Sequence, residues 1–275
     1  MNRSKVAAIQ MTSGTGVNAN LAEAERLIRA AAADGAGLVV LPENFALMSK
    51  GADEQLALRE ADGAGPLQSF LARVAAQARV WLVGGTVPLA ATDPGRVRAA
   101  CLVFDDRGRR VARYDKIHLF DVCVPGAGEH YQESATIEPG EAVVVVDSPW
   151  GRLGIAVCYD LRFPELFRRM QERGLEVLAL PAAFTATTGK AHWETLVRAR
   201  AIENLAFVVA AAQGGVHSNG RETFGHSMVV DPWGQVLAQR PSGSGFAASD
   251  LDRDFQGAVR RNFPALEHRR LKCGP

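Results

Sequence analysis

Two runs in this chain are apolar at every position: Ala142-Val143-Val144-Val145-Val146 and Phe207-Val208-Val209-Ala210-Ala211. A strand with one wet face alternates apolar and polar residues. A continuous run suits a strand covered on both faces, as inside a layered α/β protein. Strand-like runs recur at 6–10, 37–41, 80–87, 99–105, 110–114, 142–147, 153–158, 176–180, 205–212 and 227–231. Between some of them the period changes to that of a helix. Leu21, Ala24, Leu27, Ile28 and Ala31 mark one face, with Asn20 and Glu23 as a capping box and Gly35 as the stop. Further helices are expected over 67–77, from Pro164 onward, and over 191–204. Asp105-Asp106-Arg107-Gly108 and Asp231-Pro232-Trp233-Gly234 are turn sequences that join strands as hairpins. Hairpins mixed with crossover helices predict mixed sheets covered by helices. No composition break or repeat divides the chain, so residues 1–275 are read as a single α/β domain.

Thirty-one basic and thirty acidic side chains leave a formal charge of +1, which gives no reason to expect nucleic acid or a membrane as partner. No apolar run approaches the roughly 18 residues of a membrane span. Residues 1–6 lead straight into a strand without a signal-peptide core, and the four cysteines (Cys101, Cys123, Cys158, Cys273) lack CxxC spacing. A soluble cytoplasmic protein with reduced thiols is the expectation.

The chemistry concentrates in Gly154-Ile155-Ala156-Val157-Cys158-Tyr159-Asp160-Leu161-Arg162-Phe163-Pro164-Glu165. An apolar run ends at Cys158 and a proline-initiated helix follows, so rigid backbone would carry a thiol and the next amide at a strand tip. Two other charged residues stand at strand ends: Glu43 in Leu41-Pro42-Glu43-Asn44-Phe45, and Lys116 in Tyr114-Asp115-Lys116-Ile117-His118. Together the three side chains suffice for amide hydrolysis through a thioester. The carboxylate takes the thiol proton, and the ammonium stabilises the oxyanion and favours the thiolate. Taken singly, each charge is ordinary surface chemistry, and spacing alone does not bring the three together. Residues 116–139, holding Pro125, Gly126 and Gly128, are aperiodic and too long for a simple connection. Phe120, His130, Tyr131 and Glu133 within them favour a functional loop. Phe184 and Thr185, past the strand through Leu180, are candidates for the pocket wall, with Tyr159. His118, Cys123 and His130 lack metal-ligand spacing, and Thr187-Thr188-Gly189-Lys190 lacks the first glycine of a phosphate-binding loop.

The three segments, in this order, resemble the carbon–nitrogen hydrolase (nitrilase) superfamily, and the likeness runs from Val6 to about Leu271. It implies a four-layer α-β-β-α sandwich of two mixed sheets, with residues from about 252 onward forming a C-terminal helix and arm. It implies a homodimer or higher homo-oligomer, no cofactor and no metal. By the resemblance Glu43 is the general base, Lys116 the oxyanion-stabilising cation and Cys158 the nucleophile, with the Tyr159 amide as second oxyanion donor. The superfamily's second glutamate, six residues before a Pro-Gly, matches Glu133 ahead of Pro139-Gly140, with Glu129 as competitor. Residues 191–203 and 224–234 are similar to the branch holding the deaminated-glutathione amidases and ω-amidases. Ala210-Ala211-Ala212-Gln213 and the basic tail 260–270 lean towards the former. The implied reaction is hydrolysis of a small carboxylate-bearing amide, deaminated glutathione first and α-ketoglutaramate as the alternative. A non-catalytic binding scaffold is the reading from another class.

Overall fold

The computed structural model describes residues 4–124 and 129–271; Pro125, Gly126, Gly128 and Cys273 lie outside them. The first part of the chain runs β1 (Lys5–Gln10), α1 (Val17–Ala33), β2 (Leu38–Val40), α2 (Ala52–Ala57), α3 (Pro66–Ala78), β3 (Trp81–Val83), β4 (Val87–Ala90), β5 (Val97–Phe104) and β6 (Arg110–Asp115). A hairpin of β7 (Asp121–Val124) and β8 (Glu129–Gln132) follows. The second part runs β9 (Val145–Ser148), β10 (Gly151–Ile155), α4 (Pro164–Glu172), β11 (Val177–Ala182), α5 (Ala186–Asn204) and β12 (Phe207–Ala212). A small hairpin of β13 (Gly214–Val216) and β14 (Glu222–Phe224) precedes β15 (Ser227–Val230), β16 (Val236–Arg240), β17 (Gly245–Asp250) and α6 (Arg253–Asn262).

Two mixed sheets result. The first has the order β17-β1-β2-β3-β5-β4, with β6 also paired to β5; the second has the order β16-β15-β12-β11-β10-β9. β1, β2 and β3 run parallel, as do β10, β11 and β12. The two-residue period of β1 shows why the layers stack. Val6 and Ala8 enter the core shared with the second sheet, while Ala7 and Ile9 face α1 and α3. α1 contributes Ala24, Leu27, Ile28 and Ala31 to that outer core. On the other side Phe167 and Met170 of α4 and Trp193 and Val197 of α5 cover the second sheet. The order is therefore α-β-β-α. β11 and β12 are buried at every residue, as interior parallel strands require.

Several sequence expectations shift for local reasons. The run 80–87 divides into β3 and β4 around Gly84 and Gly85; Gly85 has φ +58, and a Cβ there would stand 2.2 Å from the Pro42 carbonyl oxygen. The apolar run 142–147 yields β9 at a sheet edge, half-buried rather than covered on both faces. Asn20 does not cap α1. The helix begins three residues earlier, and the Asn20 side chain ties Gly14 to Ala46. Its far end does close as expected: Gly35 (φ +95) and Ala36 donate to the Ala32 and Ala31 carbonyls. α5 starts five residues before the expected 191, capped by Thr185, whose hydroxyl accepts from the Thr188 N–H. The segment read as an aperiodic functional loop holds regular structure in its described residues, the β7–β8 hairpin and a 3-10 turn at Glu133–Ala135. Both Asp-turn hairpins, β5–β6 and β15–β16, form as read. Among the described residues no helix is long and apolar enough to cross a membrane.

Candidate active site

Glu43 stands three residues beyond β2, where the sheet still guides the chain through the Leu41 N–H donating to the Val83 carbonyl (2.9 Å). Its backbone carbonyl accepts from Gln213 Nε2 (3.0 Å), just past β12 in the second sheet. The same buried amide holds Ser13 by its N–H (3.0 Å) and its Oγ (2.8 Å). Asn44, with φ +57, turns the chain away and donates its N–H to Thr86 Oγ1 (2.9 Å).

Lys116 follows β6, its N–H on the Ala99 carbonyl and its own carbonyl held by the Gly140 N–H. The side chain is 2% exposed and lies between two carboxylates. Nζ is 2.8 Å from Glu43 Oε1 and 2.8 Å from each oxygen of Glu133. Glu133 is presented by the 3-10 turn after β8, and its Oε2 also accepts the Phe120 N–H (2.7 Å). Burial alone would push the Lys116 pKa down, but Glu133 and Glu43 outweigh it and hold the ammonium well above its ordinary range. Burial raises the Glu133 pKa, against the pull of Lys116.

Cys158 is not the last residue of a strand. β10 ends at Ile155, and Cys158 opens a 3-10 turn (Cys158–Arg162) with φ +48, a left-handed conformation unusual for a residue with a side chain. The Ala183 N–H, beyond β11, points at its sulfur (3.4 Å). Burial and the Glu43 carboxylate raise the thiol pKa well above its ordinary value, and Lys116 offsets this only in part. The pull of the ammonium towards the thiolate, expected from the sequence, is thus opposed by burial and by Glu43. The carboxylate that bears on the thiol is Glu43.

Glu43, Lys116, Glu133 and Cys158 line a single cavity with Tyr159, Phe184 and Thr185, whereas His118, Cys123 and His130 lie outside it. The sequence matches the carbon-nitrogen hydrolase family over residues 5–261. The chain belongs to that family. It is 41% identical over 272 residues to a Yersinia enterocolitica protein named deaminated glutathione amidase, covering 98% of this chain and 94% of that one. A Synechocystis protein of the same name is 43% identical over 267 residues, covering 96% and 97%. The crystal structure of the Caenorhabditis elegans NitFhit protein is similar at TM-score 0.87 and 37% identity, over 97% of this chain and 65% of that longer one.

This carbon–nitrogen hydrolase surrounds the four polar groups with a wall that the sequence revealed unevenly. Phe184 packs against Trp193 with tilted rings (5.0 Å between centroids) and lies under the Arg162 guanidinium (5.0 Å). Thr185 lines the cavity, but its Oγ1 is engaged in capping α5. Three residues went unread. Asp160 is fully buried: Oδ2 accepts from Tyr114 Oη (2.7 Å) and the Val157 N–H (2.8 Å), and Oδ1 from the His118 N–H (3.1 Å), with His118 Nδ1 at 2.7 Å. It thereby joins the turn of Cys158 to the segment bearing Lys116. Arg162, in the same short motif as the cysteine, could have been noticed as a cation beside a buried thiol. Arg221, in the turn His217-Ser218-Asn219-Gly220-Arg221, carries no signal in sequence. Cys123 Sγ and His130 Nδ1 pair with each other (3.1 Å), and among the described residues no three His, Cys, Asp or Glu side chains gather as metal ligands.

Proposed function

We propose that this chain is a cysteine-dependent amidase whose substrate is deaminated glutathione. The observation that carries the chemistry is the buried Lys116 ammonium held 2.8 Å from Glu43 in the cavity of Cys158. Glu43 takes the thiol proton as Sγ attacks the amide carbon. Lys116 and the Tyr159 N–H receive the oxyanion, and Glu133 holds Lys116 in place. The carbon–nitrogen bond breaks as Glu43 returns the proton to the departing amine, here cysteinylglycine, leaving a thioester. Water, deprotonated by Glu43, then attacks the thioester carbon, and the acid leaves as the thiol reforms. The left-handed φ at Cys158 supports this reading, because strained backbone concentrates at reactive side chains. The names of the relatives support the substrate, and Arg162 and Arg221 in the cavity wall suit an amide carrying carboxylates.

Residues 1–275 act as one domain, with residues from about 252 onward a C-terminal helix and arm. The enzyme works in the cytoplasm as a homodimer. Trp233 (57% exposed) and Phe263 (53%), packed edge to face at 5.6 Å, leave an apolar surface between the β15–β16 turn and α6 suited to a second copy. Sedimentation of the native chain beside Trp233→Ser tests this; a wild-type monomer contradicts it.

The deciding experiment is turnover of deaminated glutathione beside α-ketoglutaramate by the purified protein and its Cys158→Ala variant, read as α-ketoglutarate release. Preference for the first, lost in the variant, is the expected result. Preference for α-ketoglutaramate would make the enzyme an ω-amidase with the same mechanism. Turnover of neither would overturn the substrate, and failure of Cys158 to react with iodoacetamide would favour a binding scaffold.

A further inference from the structure

Five carboxyl, ammonium or guanidinium side chains line the cavity: Glu43, Glu133, Lys116, Arg162 and Arg221. Lys116 is paired with both carboxylates. Among the described residues neither arginine has a carboxylate partner. Arg162 directs Nη1 at His192 Nδ1 (3.1 Å). Arg221 donates Nη2 to the Ala183 carbonyl (2.8 Å), lies over the Tyr131 ring (5.2 Å), and keeps its Nε buried without an acceptor. A guanidinium fixed by one backbone carbonyl and a ring, with its charge uncompensated, is preorganised for an anionic group brought by a ligand.

The two arginines are anchored to different parts of the cavity wall, Arg162 to α5 and Arg221 to the Ala183 carbonyl and the Tyr131 ring. In the proposed reaction Glu43 protonates the departing nitrogen, so the leaving group lies on the Glu43 side. The segment that carries Arg221 is built against that side. Gln213 holds the Glu43 carbonyl (3.0 Å), His217 Nδ1 meets the Ser13 carbonyl (2.8 Å), and Asn219 Nδ2 donates to the Ser49 carbonyl (2.8 Å). Arg162 instead leans towards α5, over Phe184 and beside His192. We propose that Arg221 receives a carboxylate on the departing amine and thereby makes this site prefer amides of carboxylate-bearing amines over primary amides. The inference rests on the amidase reading above and names the part of the substrate that reading left unassigned.

The test holds the acyl group fixed and varies the amine: deaminated glutathione, its C-terminal carboxamide, and α-ketoglutaramate, with wild type, Arg221→Gln and Arg221→Lys. The wild type is expected to favour the carboxylate over the carboxamide by about 10- to 100-fold in kcat/KM. Arg221→Gln should bring that ratio close to one, and Arg221→Lys should recover part of it. The loss on α-ketoglutaramate, whose leaving group has no carboxylate, measures what Arg221 contributes as scaffold. If Arg221→Gln lowers both rates and leaves the ratio intact, or if the wild type shows no preference, the inference is overturned while the amidase reading stands. If the wild type hydrolyses none of the three, the substrate reading falls and the inference with it.

Discussion

Two clusters of one shape sit at opposite ends of the burial scale. On the outer helices Glu25 takes Arg29 (2.7 Å) and Arg73 (2.9 Å), tying α1 to α3; in the cavity Lys116 takes Glu43 and Glu133, both at 2.8 Å. Distances alone would rank them as equals. The arginines are about half exposed, at 48% and 47%, whereas Lys116 is 2% exposed. Arg73 and Arg29 hold Glu25 down to about 2, yet water and salt screen most of what that implies for stability. Around Lys116 there is little water to do so. Contact geometry therefore says little until the surroundings are specified: one cluster trims a surface, and the other holds reactive charges together at the cost of desolvating them.

The largest effect expected from breaking this contrast is at Lys116. Lys116→Met should lower kcat/KM by about 100-fold or more. It also leaves the buried Glu43 and the partly buried Glu133 without a counter-charge, so urea unfolding should show a loss of up to about 3–5 kcal/mol. A variant as stable as the wild type would mean that the buried cluster behaves like the surface one. Glu43→Gln comes next. The amide oxygen can still accept from Nζ, so the fold should suffer less, but proton transfer is gone, and the rate should fall about 10²–10⁴-fold. Alkylation of Cys158 by iodoacetamide should slow in the same variant, because the raised thiol pKa leaves the base to generate the reactive form.

Dependence on pH separates the clusters by sign. The Lys116 pKa is raised in the folded state, so its contribution is complete below its ordinary 10.5 and is lost as the pH climbs through the folded value. The Glu25 pKa is lowered, so its contribution is present above 4.5 and disappears as the pH falls towards about 2. Denaturant titrations of wild type and Lys116→Met at alkaline pH, and of wild type and Glu25→Gln at acid pH, should converge at those two extremes. The smallest effect is the Glu25→Gln change at neutral pH: about 0.5–1 kcal/mol in low salt, vanishing near 1 M salt. A larger loss that resists salt would show that the α1–α3 contact is more than a surface pair.

What could be read from the sequence follows the same division. Elements defined by repetition were legible: the α1 stripe of Ala24, Leu27, Ile28 and Ala31, the buried strands β11 and β12, and the Asp-turn hairpins. So were the three charged or reactive side chains just past strand ends, because their order is distinctive. Features that depend on a partner distant in sequence were not. The side chain of Asn20 looks like a local cap, yet it bonds to Ala46. The β7–β8 hairpin hid because each strand is only four residues long and Glu129-His130-Tyr131-Gln132 carries no aliphatic residue to set an alternation. Gln213 looked like the end of a strand and proves to hold the Glu43 backbone from the other sheet. Arg221 was invisible because a basic residue in a glycine-containing turn is ordinary until the turn is folded over a cavity.

The cavity straddles the seam between the sheets: Glu43 and Lys116 extend from the first, Cys158 and Ala183 from the second. Asp160 spans that seam, with Tyr114 and His118 on one bank and Val157 on the other. The seam is lined by small residues such as Ala8, Ala156, Ala210 and Ala212. The thickness of the core is thus a ruler for the reaction, and methyl groups far from any substrate set its graduations. Enlarging one of those alanines would dilate the gap between sulfur and carboxylate while the chain remained folded. Overpacking would cost such a protein some stability, and its turnover would fall as well, the fault lying in a dimension and not in any missing group.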